Sequence, residues 1–484
     1  MSLSVAMKAA RGALQANATS TGVVSRNIAG VNDPAYSRKI ASLVTTDGPV
    51  RVVISRASDT LLFDKTIHST SELAGRTEIL KGLQSLEDTV GDTEEGRSVS
   101  AKISAVKTAL ANAAGQPNDI NLAKAAVAAA KDLARTLNQA SATVQKVRFD
   151  ADQDIAKSVG TINDLLGQFD KANKAVVLGT TTGADISDAL DNRDKILAQL
   201  SQEIGIHTSV RAGNDMAIYA DNGAPLFDRG ARTVTFAPTT AFGAGTTGNA
   251  VLIDGIRVTG NGSMMPLQAG RIVGLMTVRD EAAVTYQKQL DAIAGGLIKA
   301  FAETDKNSAT GTAFAGLFTN AGNTALPAVN TGLASSIQVN AKADPELGGN
   351  PFTLRDGGMN AGSQYTYNDT NAASYVDHLR ALQSALGAER PFPSDSELPA
   401  SASLLTAAGA SVSWLEATRK GASKRVEDES AFLDRASTAL SNATGVNRDD
   451  EVATMLELEK SYAASAKLLA TVNAMLQTLL DAVR

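Results

Sequence analysis

The stretch LSVAMKAARGALQANATSTGVVSRNIAGV, Leu3 to Val31, decides the fold. Steps of four and three from Leu3 visit Met7, Ala10, Leu14, Asn17, Thr21, Val24, Ile28 and Val31, and seven of these nine positions are apolar. That spacing is a heptad seam on a helix. Asn32-Asp33-Pro34 ends it, because the residue before a proline is pushed out of the α region. The other end of the chain repeats the pattern. Met455, Leu458, Tyr462, Ser465, Leu469, Val472, Leu476, Leu479 and Val483 form a second seam, with eight of nine apolar. Asn447 or Asp449 can cap that helix, and Asp449, Asp450 and Glu451 suit the positive end of its dipole. At 1.5 Å per residue the two helices are about 43 and 52 Å long. Lys8, Arg11 and Arg26 meet no acid before Asp33, and the C-terminal segment is acidic at its start. Such charges assist pairing only slightly, since exposed pairs contribute at most about 1 kcal/mol.

Working inward, Arg38 to Ile54 carries β-branched runs and reads as an extended or hairpin segment. Helical stripes follow over about 58–90 and 99–113, with a break at Gly91–Gly96. Gln116-Pro117-Asn118-Asp119 then stops one helix and starts another, with Asn118 or Asp119 as N-cap. The next helix runs on toward Leu178, to a turn at Gly179–Gly183, and a further amphipathic helix carries Ile186 to Ile204. From Ile206 to Ala269, short apolar runs alternate with Gly, Asn, Asp and Pro, which predicts hairpins. Ala283, Tyr286, Leu290, Ile293 and Leu297 restore a helix. The segment 305–400 is irregular and holds Phe314, Phe318, Phe352, Tyr365, Tyr367, Tyr375 and Phe392, enough aromatics for a core of its own. Helix resumes over about 404–440.

The predicted fold is mainly α with inserted β modules. Its terminal helices pair as a coiled coil beside a helical rod, and an outer α/β or β-rich insertion lies beyond. The expected divisions are a discontinuous base of 1–57 and 441–484, a rod of 58–205, 270–304 and 401–440, a β module of 206–269 and an outer domain of 305–400.

Composition narrows the function. The 484 residues carry net charge −6, no cysteine, one tryptophan and three histidines. Zero cysteine excludes disulfide frameworks, thiol nucleophiles and Cys-ligated metals. His68, His207 and His378 match no ligand spacing, and mild acidity argues against a nucleic-acid surface. No apolar run reaches the roughly 18 residues of a membrane span. Lys8 and Arg11 interrupt the apolar positions near the start, so no cleaved secretory signal is expected.

Pairing the two ends closes a loop of roughly 400 residues, at about 5 kcal/mol for the length-dependent part. Burying each Leu or Ile returns at most about 1.5–3 kcal/mol. A lone helix pair leaves much of each stripe in water. The expectation is therefore terminal helices that order when neighbouring copies cover them.

Asn27-Ile28-Ala29-Gly30-Val31-Asn32 followed by Ala35-Tyr36-Ser37-Arg38 resembles the N-terminal motif of bacterial flagellar axial proteins. Its Tyr-Ser-Arg ending is similar to the hook-associated protein 1 family, the first hook–filament junction proteins. Gly445-Val446-Asn447-Arg448-Asp449-Asp450-Glu451, Tyr462 to Lys467, and Met475 to Leu480 resemble that family's C-terminal motif. Leu190 to Asp194 and Ala269 to Leu275, leading to Arg279-Asp280, resemble its interior. Ala35 stands where the family usually has Gly, and Arg448 where an aliphatic residue is common. The region 305–400 carries no such motif.

The resemblance implies export, largely unfolded and without a cleaved signal, through the flagellar type III channel, and a junction layer between hook and filament. The partners it implies are other copies of the chain, hook protein, the second hook–filament junction protein and a flagellar export chaperone, with no nucleic acid and no membrane insertion. The expected assembly interface comprises Leu3, Met7, Leu14, Val24, Ile28, Val31, Tyr36 and Arg38 with Met455, Leu458, Tyr462, Leu469, Val472, Leu476, Leu479 and Val483.

No catalytic motif or cofactor site is expected. Gly260-Asn261-Gly262 lacks the third glycine of a dinucleotide loop and reads as a turn. Asp92-Thr93-Glu94-Glu95 and Glu427-Asp428-Glu429 read as solvated helix ends and faces, and Arg193-Asp194 and Arg279-Asp280 as rod-stabilising ion pairs. Trp414 reads as packing near an insertion. The alternatives are another axial protein, such as hook protein or the second junction protein, or an extracellular enzyme or adhesin on an axial scaffold.

Overall fold

A computed structural model describes residues 3–44, 51–88, 96–260, 262–308 and 311–482. Helix α1 spans Leu3–Gly30. It stops one residue before the seam was expected to end, so Val31 lies in the following turn. There the Asp33 N–H donates to Gly30 O at 2.9 Å, and the Tyr36 ring folds back over Gly30. A Cβ at Gly30 would sit 2.6 Å from that ring, so the close approach requires glycine. An antiparallel hairpin follows, β1 (Lys39–Val44) and β2 (Arg51–Arg56), pairing Lys39 with Arg56 and Ser42 with Val53.

Helix α2 (Thr60–Glu87) is capped by Asp59, α3 (Val99–Gly115) by Ser98, and α4 (Ile120–Thr182) by Asp119. Apart from Gly96, the expected break after α2 lies outside the described residues, as does Asp92–Glu95. With 63 residues α4 is about 95 Å long, the axis of the rod. Its buried side chains recur at three–four spacing, from Ala123 and Val127 through Leu137, Val144 and Ile155 to Phe169 and Val176. The expected Gly179–Gly183 turn is helical as far as Thr182. Only Gly183, at φ 71°, breaks the helix, in the left-handed conformation that glycine adopts without strain.

After α5 (Ser187–Glu203) come two small antiparallel sheets. The first is β3 (Ile206–Val210), β4 (Met216–Ala220) and β5 (Pro225–Phe227), and the second is β6 (Val234–Thr235), β7 (Leu252–Ile253) and β8 (Ile256–Arg257). This is the expected run of hairpins. Both sheets lean on α4: Phe227 meets Phe169 edge to face at 4.9 Å, and the Asn163 amide bonds both backbone groups of Val234. Gly260 and Gly262, at φ 73° and 92°, belong to a turn as expected, while Asn261 lies outside the described residues.

Helix α6 (Arg271–Thr277) passes through one π turn, Val278–Ala282, into α7 (Ala283–Ala300). Helices α2 and α6 cross backbone to backbone. A Cβ at Gly274 would lie 2.2 Å from Gly75 O, and the Gly270 N–H donates to Ser71 O at 3.0 Å.

The chain then leaves the rod and returns. The excursion contains β9 (Phe318–Asn320), α8 (Leu333–Ser336), β10 (Ile337–Val339), α9 (Thr353–Asp356), α10 (Asp377–Gly387), β11 (Arg390–Pro391) and β12 (Ser401–Ala402). Most of it is irregular, and its aromatics divide: Phe314 meets Tyr365 edge to face at 5.5 Å within the segment. Phe318 meets Phe301, at the end of α7, edge to face at 5.0 Å. Asn138 of α4 donates to Ala334 O and Ile337 O, and Asp291 of α7 accepts from the Gly332 and Ala334 N–H groups. The buried side chains of this segment therefore join the apolar core that runs along the rod.

Helix α11 (Leu404–Thr444) lies antiparallel on α2, with Arg419 against Glu87 at 2.8 Å. The chain turns at Gly445–Asn447, Asn447 caps α12 (Arg448–Asp481), and α12 packs on α1. Asn17 donates to Ser461 at 2.9 Å and Asn27 to Glu451 at 3.0 Å, so the two terminal helices run antiparallel. Their buried apolar residues, Ala10, Ala16, Val23, Val24 and Val472, lie outside the rod core.

Candidate assembly interface

The terminal pair is thinly buried. Of the expected seam, Val24 and Val472 are buried, and Met7, Leu14, Ile28, Met455, Leu458, Leu469 and Leu476 are partly buried. Tyr462 and Leu479 are 49% and 60% exposed. Val31, Tyr36 and Arg38 are partly buried beyond the end of α1. The Leu3 side chain and all of Val483 lie outside the described part. Helix α12 has apolar side chains that α1 does not cover, with Leu456, Leu468, Met475 and Leu480 each more than half exposed.

A polar junction holds the base of this pair. Asn27 is buried and uses its whole amide. Its Nδ2 donates to Lys39 O at 2.8 Å and to Glu451 Oε2, while its Oδ1 accepts from the Lys39 N–H at 2.9 Å and from the Tyr36 hydroxyl at 3.0 Å. Arg38 Nε donates to Glu451 Oε1 at 2.6 Å, and the Arg38 N–H to Thr444 O at 2.7 Å. One asparagine and one glutamate thus tie α1, the hairpin and α12 together. Burial makes each bond costly to lose, because no water replaces it.

Below the junction stands a ladder of acids, of which the sequence pattern singled out Asp191 and Asp194 but not Asp185 and Asp188. Asp185, just before α5, and Asp188, Asp191 and Asp194 within it recur every third residue, which keeps the last three within about 120° of one another. Arg26 pairs with Asp185 at 3.3 Å, Lys39 with Asp188 and with Asp191 at 3.5 Å, and Arg56 with Asp191 at 3.0 Å and Asp194 at 2.6 Å. Burial opposes the charge on Lys39. The hydrogen bond to Asp188, with Tyr36 and the nearby carboxylates, outweighs that and holds the ammonium above its ordinary range. Burial pushes the Asp194 carboxyl up against the pull of Arg56, and pushes the Tyr36 hydroxyl up against Lys39, whose Nζ sits 4.0 Å over its ring. The regular spacing of the four aspartates was the available signal. Their partners, 135 to 159 residues away in these pairs, were not.

The expected ion pairs divide. Asp194 pairs with Arg56, and its neighbour Arg193 donates instead to Asn173 and Asn214 O. Arg279 does pair with Asp280, at 2.8 Å, and its fully buried guanidinium also meets Asp152 at 2.5 Å and Asn249 O at 2.8 Å. With Arg148, which donates to Arg279 O, Gly243 O and Thr246 O, it pins the loop before β7 to the rod. Trp414 donates to Glu397 at 2.6 Å, a packing contact at the edge of the excursion. Glu427 and Asp428 are exposed and Glu429 partly so. Among the described residues no group of three or more His, Asp or Glu is placed to hold a metal ion, and no helix is long and apolar enough to cross a membrane.

Two family models match this chain. The Flagellar hook-associated protein FlgK helical domain matches residues 83–317, and the Flagellar basal body rod FlgEFG protein C-terminal matches residues 438–482. Residues 83–317, just under half of the chain, are thus similar to the helical domain of a flagellar hook-associated protein. Proteins named Flagellar hook-associated protein 1 in Salmonella typhimurium and Salmonella typhi are each 24% identical over 310 residues, covering 60% of this chain and 54% of theirs. The chain thus matches about half the length of those relatives. The flagellar hook junction protein FlgK from Burkholderia pseudomallei aligns with 19% identity and a TM-score of 0.43, over 53% of this chain and 46% of that one. In this chain, the N-terminal motif and Glu451 of the C-terminal motif converge on one hydrogen-bonded junction. The helical-domain match spans the acidic ladder and the Arg279 cluster.

Proposed function

We propose that this chain is a structural protein of the bacterial flagellum, not an enzyme. It self-assembles as the junction layer between hook and filament and is needed for filament attachment. One observation carries the reading: α12 packs on α1 yet exposes Leu456, Leu468, Met475, Leu479 and Leu480. An apolar flank of that extent is complete only when neighbouring copies cover it. The terminal pair, 1–57 with 441–484, forms the base of the subunit. The rod of 58–205, 270–304 and 401–440 surrounds it, and 206–269 and 305–400 are the outer parts. Its partners are other copies of itself, hook protein, the second junction protein and an export chaperone. It reaches the outside through the flagellar export channel.

The test is deletion followed by microscopy. Hooks without filaments, with flagellin in the medium, are expected, and normal filaments would overturn the reading. At the level of the seam, Leu476→Asp should block incorporation while circular dichroism shows the rod folded. Motile cells with normal filaments would show that Leu476 is not in the assembly seam.

A further inference from the structure

The rod carries a groove that its own chain does not fill. It runs between the antiparallel helices α2 and α11, encloses about 670 Å3, and is lined by Leu62, Phe432, Ala436 and Ala439 among others. The Phe432 ring is 54% exposed. Lys65 and Arg435 also line it, and neither makes an ion pair among the described residues, whereas Arg76 on the same wall is paired with Glu72 at 3.3 Å. Glu429 is the other acid in the lining. The groove thus has an apolar strip of Leu62, Phe432, Ala436 and Ala439 within an otherwise polar lining, with Lys65 outside any ion pair among the described residues and Arg435 stacked 5.8 Å from the Phe432 ring centroid.

A matching surface exists elsewhere on the chain. At 100° per residue, Asp449, Val452, Leu456 and Glu459 fall within about 100° of one another on α12. This arc lies away from the seam of Leu458, Leu469 and Leu476 that faces α1. Val452 and Leu456 are 44% and 53% exposed, and Asp449 and Glu459 are exposed beside them. It is therefore a short apolar strip flanked by two acids. Within one chain the bend at Gly445–Asn447 carries α12 onto α1.

We propose that the α2–α11 groove of one copy receives the first three turns of α12, residues 449–460, of a second copy. Val452 and Leu456 enter beside Leu62 and Phe432, and Asp449 and Glu459 meet Lys65 and Arg435. The contact joins two different surfaces, so it can pass from copy to copy around a ring or helix. Groove against groove would oppose like charges, which disfavours the symmetric alternative. This inference rests on the self-assembly reading and adds to it a specific contact between rod and base.

The absence of cysteine makes the test clean. Cells produce two versions of the full chain, one with Phe432→Cys and the other with Leu456→Cys and a mass tag. Flagella are isolated, oxidised with copper phenanthroline and run on a non-reducing gel. Each chain has one thiol, so any disulfide lies between copies. A mixed dimer is expected with both versions together and none with either alone. Lys65→Glu with Arg435→Glu in the first version should remove it, and Asp449→Lys with Glu459→Lys in the second should restore it. Ala439→Cys with Val452→Cys supplies a second pair with the same readout. Flagella that contain both versions and normal filaments but yield no mixed dimer from either pair overturn the contact. Wild-type flagella that lack the chain overturn the assembly reading and the contact with it.

Discussion

Substituting Gly274 by alanine should destabilise the rod, although alanine is the better helix former. The added methyl would lie 2.2 Å from Gly75 O and 2.9 Å from Gly75 C. Ordinary contact needs about 3.4 Å, so α6 must retreat from α2 by roughly 1 Å. Little there can give way, because the neighbour is backbone and the Gly270 N–H is already bonded to Ser71 O. Helix α2 is crowded again by the π turn that follows α6, where a Cβ on Gly82 would come within 2.4 Å of Val278. Overpacking costs about 1–3 kcal/mol, and rigid backbone neighbours place this site in the upper half of that range. The gain in helix propensity, at most about 1 kcal/mol, offsets only part, leaving a net loss of about 2 kcal/mol. Gly160→Ala is the matched control. Gly160 lies on the exposed side of α4 with nothing within 4 Å of its would-be Cβ, so alanine there should stabilise by about 0.5–1 kcal/mol. Urea unfolding of both variants at equal m-value reads the difference. A neutral or stabilising Gly274→Ala would refute the reasoning, because it would mean that the helices part freely at this crossing.

Asp152→Ala should cost about 3 kcal/mol, the low end for breaking a buried ion pair, because Asp280 still holds Arg279 at 2.8 Å. It also frees the Thr239 N–H, so limited proteolysis should cut first within 237–249, and Arg279→Met in the same chain should recover part of the loss. His378, stacked 4.3 Å from Tyr367, has its imidazole pushed down to about 4 by burial, against the pull of Asp356. The unfolded chain binds that proton more readily, so stability is complete above the ordinary value near 6.5 and falls as the pH drops toward 4. The loss between pH 7 and 5 is about 2 kcal/mol. His378→Phe should flatten that part of the urea-midpoint profile, and an unchanged slope would remove His378 as its cause.

Local features were legible in the sequence. The caps at Asp119 and Asn447, the hairpin after α1 and the three–four stripe of α4 depend on neighbours within a few residues, and the structure places them where those patterns predict. The motif Ala269–Leu275 stood out as well. Its reason, two glycines letting α2 and α6 touch backbones, depended on Gly75, nearly two hundred residues earlier. The candidate interface was half legible. Its apolar series was visible. The junction at Asn27 and Glu451 was not, because hydrogen-bonding residues carry no periodic signature and their partners lie more than 400 residues apart.

What the sequence determined by itself was the set of helices, their apolar faces and the lack of thiol chemistry, since each follows from short-range sterics or from residue type alone. Only the tertiary structure decided that α1 and α12 run antiparallel, that Asp194 answers Arg56 and not Arg193, and that Phe318 and Phe392 join the rod core. It also decided which face of α12 stays uncovered. The physical reason is common to all four. An apolar stripe demands burial without naming its partner, and a charge demands a counter-charge without naming which one. Only the closed chain, with its distances and its excluded volume, makes those choices.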